Sequence, residues 1–299
     1  MSSGHGHGHA AGRHRRRLAL SFALVGMFFV VELVAGLIAG SLALLSDAGH
    51  MAADVVTLGA ALLATRLATR PDNTGRRTYG SYRAEVFASL LAVALMLGVS
   101  IYIVFEAIGR IGEPAEVSTG LMLVVGGIGL VINLIALFLL RSGASESLNV
   151  KGAYLEVMAD TAGSVGVIVA GWLVIATGQP FWDTVAALVI GVFVAVRAIG
   201  LGRQVFAVLG QHVPEGMDTT VVATDLADID GVSDVHDLHL WTLTSGMNVA
   251  TAHLVTDDPG DNHAVLDRAR DVLRSKHGVA HATLQVEPRE HQGCDEIGW

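Results

Sequence analysis

The sequence predicts an α-helical membrane protein: six transmembrane helices followed by a cytosolic α+β domain. Three observations predict it. Of 299 residues, 52% are hydrophobic and only 16% charged; uncharged apolar stretches recur through the first two thirds; and from about His212 the composition turns to that of a soluble module. That much apolar surface exceeds what a soluble domain of this length can bury. The expected divisions are a His/Arg-rich cytosolic tail over 1–17, a membrane domain over 18–211 and a cytosolic domain over 212–299.

The spans follow from length, since roughly 30 Å of hydrocarbon takes about 20 helical residues to cross. Val86 to Phe105, Val117 to Leu140 and Thr161 to Trp182 are long and uncharged. Three further spans carry ionisable residues: Leu18 to Ala39 holds Glu32, Ala48 to Ala68 holds His50 and Asp54, and Thr184 to Leu201 ends near Arg197. Lys and Arg accumulate on the cytosolic side of membranes. Arg13, Arg15, Arg16 and Arg17 precede the first helix; Arg66, Arg70, Arg76, Arg77 and Arg83 separate the second from the third; Arg141 and Lys151 separate the fourth from the fifth. The 1/2 and 5/6 connections have no Lys or Arg, and the 3/4 connection sets Arg110 against Glu113 and Glu116. Both termini are therefore expected in the cytosol, the chain crossing the cytoplasmic membrane several times.

The C-terminal part reads as α-β-β-α-β: a helix over Asp218 to Ile229, a strand over Val232 to Leu243, a turn at Gly246, a strand over Asn248 to Val255, a helix from Asn262 to Lys276 and a strand over Ala282 to Glu287. In the first strand, simple alternation places His236, Leu238 and Leu240 on one face and Val235, Asp237 and His239 on the other. Cys294 has no cysteine partner in the chain and suits a reducing compartment. The net charge of −9 points to no particular partner and no nucleic acid, because the bases sit near the membrane and the acids mostly in the tail. His5, His7, His9 and His14, set among Gly and Ala, read as an unpacked segment, open to weak metal capture or to no role.

The chemistry lies in ionisable groups placed within membrane helices. Helix 2 has His50 and Asp54 and helix 5 has Glu156 and Asp160, each pair four residues apart and so stacked on one helix face. Three charged, unpaired intramembrane carboxylates cost on the order of 8 to 10 kcal/mol. Facing pairs would instead gather four nitrogen and oxygen donors around one point, the tetrahedral set that a zinc-like ion uses. Asp47, one turn before His50, could support such a site, relay protons or sit at the outer helix end. Glu32 and Glu106 read as interhelical partners, and Gly36 with Gly40 as a small-xxx-small packing pair.

At these residues the sequence resembles the cation diffusion facilitator family, through SDAGHMAAD at 46–54, NVKGAYLEVMADTAGSVGVIVAG at 149–171 and VHDLHLWTL at 235–243. The resemblance implies a homodimeric antiporter, zinc-exporter-like, in which a divalent metal leaves the cytosol against protons, with a ferredoxin-like cytosolic domain. Metal and protons would then be cargo, with no prosthetic group and no enzymatic reaction. Glu156 departs from the His usual in zinc exporters of the family. A divalent ion among His50, Asp54, Glu156 and Asp160 would leave about one negative charge, and the added oxygen donor favours Mn2+, Co2+ or Fe2+ more than a two-His site would. Zn2+ stays first because His50 remains.

In the cytosolic domain His236 and His253 fall on adjacent strands, with His263 opening a helix and Glu287 ending the last strand. His236, His253, His263 and Glu287 are the candidates for a second metal site, which the resemblance places near the dimer interface, against the alternative of histidines without metal. Asp257 and Asp258 read as solvated, and His291 with Cys294 as a flexible addition at most. Two rivals from other classes are an intramembrane metallohydrolase, which lacks an HExxH pattern, and a membrane-anchored metal sensor.

Overall fold

Backbone polar groups in hydrocarbon must be satisfied within the segment, so apolar stretches of this length form helices. The computed structural model describes residues 8–68, 78–111, 117–141, 148–244, 246–256 and 262–288. It contains α1 (Gly8–Ala39), α2 (Leu42–Ala68), α3 (Ala84–Gly109), α4 (Thr119–Leu140), α5 (Leu148–Thr177) and α6 (Phe181–Leu209). Among the described residues four helices are long and apolar enough to cross a membrane: Ala84–Gly109, Thr119–Leu140, Tyr154–Thr177 and Phe181–Leu209. In the described part of α1 the apolar segment is Ala23–Ala39.

Several boundaries differ from the sequence reading, α2 starting at Leu42, α6 running over Phe181–Leu209 and β3 over Val279–Pro288. Helix α1 starts at Gly8, inside the expected tail, where Ala10, Ala11 and the Arg run favour helix. The stretch Thr161 to Trp182 is two helices, because Gly178 adopts φ 72° and Pro180 follows, ending α5 before α6 begins. Gly40, at φ 63°, forms the turn after α1, and Gly36 makes a close approach to Leu44 and Leu45 of α2. Expectations resting on His5, His7, Arg70, Arg76, Arg77, Glu113, Glu116, Asp257, Asp258, His291 and Cys294 lie outside the described residues.

Two compact units divide the chain: Met1–Leu63 with Ala88–Gly202, and Ala64–Phe87 with Arg203–Trp299. The second therefore begins earlier than His212 and includes part of the connection between α2 and α3. The first unit buries Phe28, Met51, Met96, Met122, Val167 and Val194 inside, while large apolar residues such as Phe105 (72% exposed) and Trp172 (63% exposed) face outward. An apolar exterior around an apolar interior is the distribution that a lipid surrounding asks for. Helices α4 and α5 pack closely, with Gly126 against Val167 and Ile168, Gly171 against Leu123, and Asn133 Nδ2 donating to Ser164 Oγ at 3.3 Å.

The second unit has α7 (Thr219–Ala227), β1 (Val232–Thr244), β2 (Met247–Thr256), α8 (Asn262–His277) and β3 (Val279–Pro288). This is the expected α-β-β-α-β order. Asp218 caps α7 by accepting from Thr220 N at 2.8 Å, and Gly278, at φ 64°, ends α8. The sheet order is β1-β2-β3, with β1 antiparallel and β3 parallel to β2. One face carries α7 and α8 over a core of Leu226, Leu240, Ala250, Leu254, Val265 and Leu273.

Alternation in β1 does not hold. Asp237 has φ 51° and the register slips between His236 and His239. The extra residue of this bulge changes the parity of everything after it. Val235, Leu238 and Leu240 pack toward the helices, and His236 pairs across to His253, and His239 to Thr251, on the other face. Tyr79, just before α3, meets His281 edge-on with centroids 5.7 Å apart, and Glu85 Oε2, in the first turn of α3, accepts from Thr244 Oγ1 at 2.8 Å.

Candidate metal centre

The i, i+4 spacing sets His50 and Asp54 on one face of α2, and α5 brings Asp160 to meet them. His50 Nε2 lies 3.2 Å from Asp160 Oδ1 and 3.6 Å from Asp54 Oδ2. One donor atom from each of the three lies within 4.8 Å of the others. His50 and Asp160 are buried, each 2% exposed. His50 Nδ1, Asp54 Oδ2 and Asp160 Oδ1 have no hydrogen-bond partner among the described residues. Converging, desolvated donors of this kind suit a small cation.

Helix α2 is held in place at its start. Asp183, buried in the first turn of α6, accepts from Ser41 Oγ at 2.6 Å, Leu42 N at 2.8 Å and Ala43 N at 3.2 Å. Backbone N–H groups at a helix start lack intrahelical acceptors, and an aspartate from another helix here takes two of them. One turn further, Ser46 Oγ donates to Ala187 O at 3.3 Å. Asp47 is buried beside the site, which removes the reading of a solvated helix end. It fits against α5 only because residue 163 is glycine: a Cβ there would stand 2.5 Å from Asp47 Oδ1. Glu32 of α1 is fully buried and within electrostatic reach of Asp47 and Asp160. Glu106 is half-exposed and pairs with Arg110 at 3.4 Å.

Glu156, the fourth expected ligand, is not drawn into the three-residue group. Its carboxylate accepts from Arg197 Nη2 of α6, and Arg197 Nη1 lies 2.7 Å from His50 Nε2. The sequence reading took Arg197 for the end of a span, yet α6 continues to Leu209. Asp183 falls between the two spans expected over Thr161 to Trp182 and Thr184 to Leu201. The signal for Arg197 was available: an arginine within an apolar helix needs an acidic partner, and Glu156 is the acid that departs from the zinc-exporter pattern.

In the second unit the open face of the sheet gathers His236 on β1, His253 on β2 and Glu287 on β3. Glu287 Oε1 is 3.1 Å from His253 Nδ1 and Glu287 Oε2 is 3.6 Å from His236 Nε2, with the two rings 5.1 Å apart. These three also form a group with ligand atoms within 4.8 Å of one another. His236 Nε2 is buried with no hydrogen-bond partner among the described residues, so two imidazoles and a buried carboxylate fit a metal ion. His263 is not among them; it is 92% exposed and lies 3.8 Å from Asp267. The bulge adds Asp237, which reaches His239 at 2.9 Å and His253 at 3.9 Å.

A family model described as the cation efflux transmembrane domain matches residues 18–209, and one described as cation efflux protein, cytoplasmic domain, matches residues 214–289. A metal cation efflux system protein, CzcD, of Cupriavidus metallidurans is 41% identical over 273 residues, covering 91% of this chain and 86% of the relative. A cadmium, cobalt and zinc/H(+)-K(+) antiporter of Bacillus subtilis is 35% identical, covering 95% and 92%. The zinc transporter ZitB of Escherichia coli is 34% identical, covering 94% and 90%.

Proposed function

Since the chain belongs to the cation efflux, or cation diffusion facilitator, family, we propose that it carries a divalent metal ion, Zn2+ first, out of the cytosol in exchange for protons. The observation that carries this reading is the meeting of His50 and Asp54 from α2 with Asp160 from α5 among apolar helices. The ion binds there as cargo. Ligands must shed protons to take a metal, so loading expels protons, and protons arriving from the far side expel the metal. Exposing the same ligands first to one side and then to the other gives exchange. The printed descriptions of the relatives, a zinc transporter and an antiporter of cadmium, cobalt and zinc, support this cargo class.

The chain acts as a homodimer in the cytoplasmic membrane, crossing it six times with both termini in the cytosol, and has no enzymatic activity. Loop arginines support the orientation, and the cytoplasmic-domain match supports the placement of the tail. His236, His253 and Glu287 hold a second, resident ion that stabilises or regulates the tail; His263 stays outside it.

The test is metal flux into proteoliposomes of the purified protein under an imposed pH gradient, comparing Zn2+, Co2+, Mn2+ and Fe2+. Proton-coupled Zn2+ flux is expected, falling to background in Asp54→Ala and Asp160→Ala while size-exclusion profiles stay unchanged. Full flux in either variant would overturn the site, and no proton-coupled flux of any ion would favour a sensor.

A further inference from the structure

We propose that Arg197 is a built-in cation of the transport site, and that Glu156 serves Arg197 as its counter-ion without ligating the metal. The inference rests on the transport site proposed above and assigns the role of its fourth acid.

Three observations carry it. Glu156 accepts from Arg197 and, although its carboxyl lies within hydrogen-bonding reach of Asp54, is absent from the group of donors formed by His50, Asp54 and Asp160. Arg197 also lies 2.7 Å from His50 Nε2. A guanidinium offers only donors, so His50 Nε2 must be the acceptor in that contact. The lone pair that faces Arg197 is therefore the same one that faces Asp160 and Asp54, the one a metal ion would use. Finally, Arg197 sits within α6, where an arginine without an acid would be costly.

Charge then explains why the two residues occur together. Leaving aside Asp47 and Glu32, which are buried nearby but outside the donor group, Asp54, Asp160 and Glu156 are three carboxylates; with one guanidinium they leave two negative charges, the number that a divalent ion neutralises. Replacing a neutral ligand by Glu156 alone would have left the filled site negative, and Arg197 alone would have left it positive. Together they are a neutral pair beside a His and two Asp. In the metal-free protein Arg197 also holds His50 in the tautomer that can bind, and an arriving ion takes over that lone pair while Arg197 stays on Glu156.

A paired-substitution experiment tests this on the full-length protein in detergent, with Co2+ as the probe. Its visible absorption band reports ligand number and type, and the tail contribution cancels in difference spectra between variants. Glu156→Gln leaves Arg197 uncompensated, so Co2+ affinity falls by roughly tenfold or more. Glu156→Gln with Arg197→Gln restores the balance, so affinity returns to within about threefold with an unshifted band. A double variant that binds as weakly as Glu156→Gln, or whose band shifts, overturns the proposal, since a lost ligand is not restored by removing a guanidinium. If Glu156→Gln fails to fold, Glu156→His serves: weaker Co2+ binding is expected, and equal or tighter binding overturns the proposal. Asp54→Ala separates the two readings. Loss of the transport-site band in Asp54→Ala with no rescue in the double variant removes only the role of Arg197; a retained band removes the site itself.

Discussion

Replacing Asp183 by alanine tests how the site helix is anchored. The substitution removes the acceptor of Leu42 N, Ala43 N and Ser41 Oγ at once, in a place where Ser41, Leu42 and Ala43 are all fully buried. A buried donor left unsatisfied costs about 1–3 kcal/mol, and two backbone N–H groups are stranded. Ser41 Oγ already accepts from Leu44 N at 3.2 Å and can turn toward one of them, so the net loss falls near the low end, about 3 kcal/mol. Asp183→Asn keeps one acceptor oxygen and should lose about half as much. The assay is unfolding of the purified protein in mixed micelles of increasing SDS, followed by tryptophan fluorescence, with Trp182 next to the substituted position. A change below about 0.5 kcal/mol, the ordinary range for an uninvolved surface residue, would refute the reasoning.

Two further outcomes concern the second unit. In an Asp160→Ala background, where only the tail should bind, Glu287→Gln is expected to lower metal affinity at least tenfold by removing the one carboxylate shared by His236 and His253; unchanged binding by calorimetry would place the ion elsewhere. Lys276, at 2.7 Å, and His277, at 2.8 Å, hold the Asp225 carboxyl below the usual carboxylate range, the Lys276 hydrogen bond most strongly. A lowered folded-state value stabilises above the ordinary aspartate range near about 4 and is lost as pH falls through it. Protection factors of α7 and α8, corrected for the intrinsic exchange rate at each pH, should therefore fall on acidification in the unaltered chain and fall less in Asp225→Asn; equal responses would contradict it.

The helices and the tail order were legible because apolar length and period are local properties. The pairing of His50 with Asp54 in the first candidate group was legible for the same reason, as it follows from helical spacing, whereas the meeting with Asp160 depends on how α5 packs against α2. What the sequence did not show depends on neighbours or on single backbone angles. The positive φ of Asp237 shifts one strand by a residue, and nothing in VHDLHLWTL marks it. His263 looked equivalent to its fellow histidines, and only the direction of the α8 start sets it apart. Arg197 and Asp183 each resemble a helix-end charge until the partner, from a distant part of the chain, is known.

Asp183 and Arg197 are fourteen residues apart on α6, about 21 Å along the axis and nearly on the same side. One grips the start of α2 and the other reaches the ligand that α2 carries. These two fastenings hold α2 to α6 at two heights, Asn133, Ser164 and the glycine contacts hold α4 to α5, and the Arg197–Glu156 pair joins α6 to α5. The candidate ligands lie where α2 meets α5, His50 and Asp54 on one helix and Asp160 on the other. On the proposed reading, a cation held by His50, Asp54 and Asp160 would add one more tie between α2 and α5, and its departure would leave that seam held by apolar and glycine contacts.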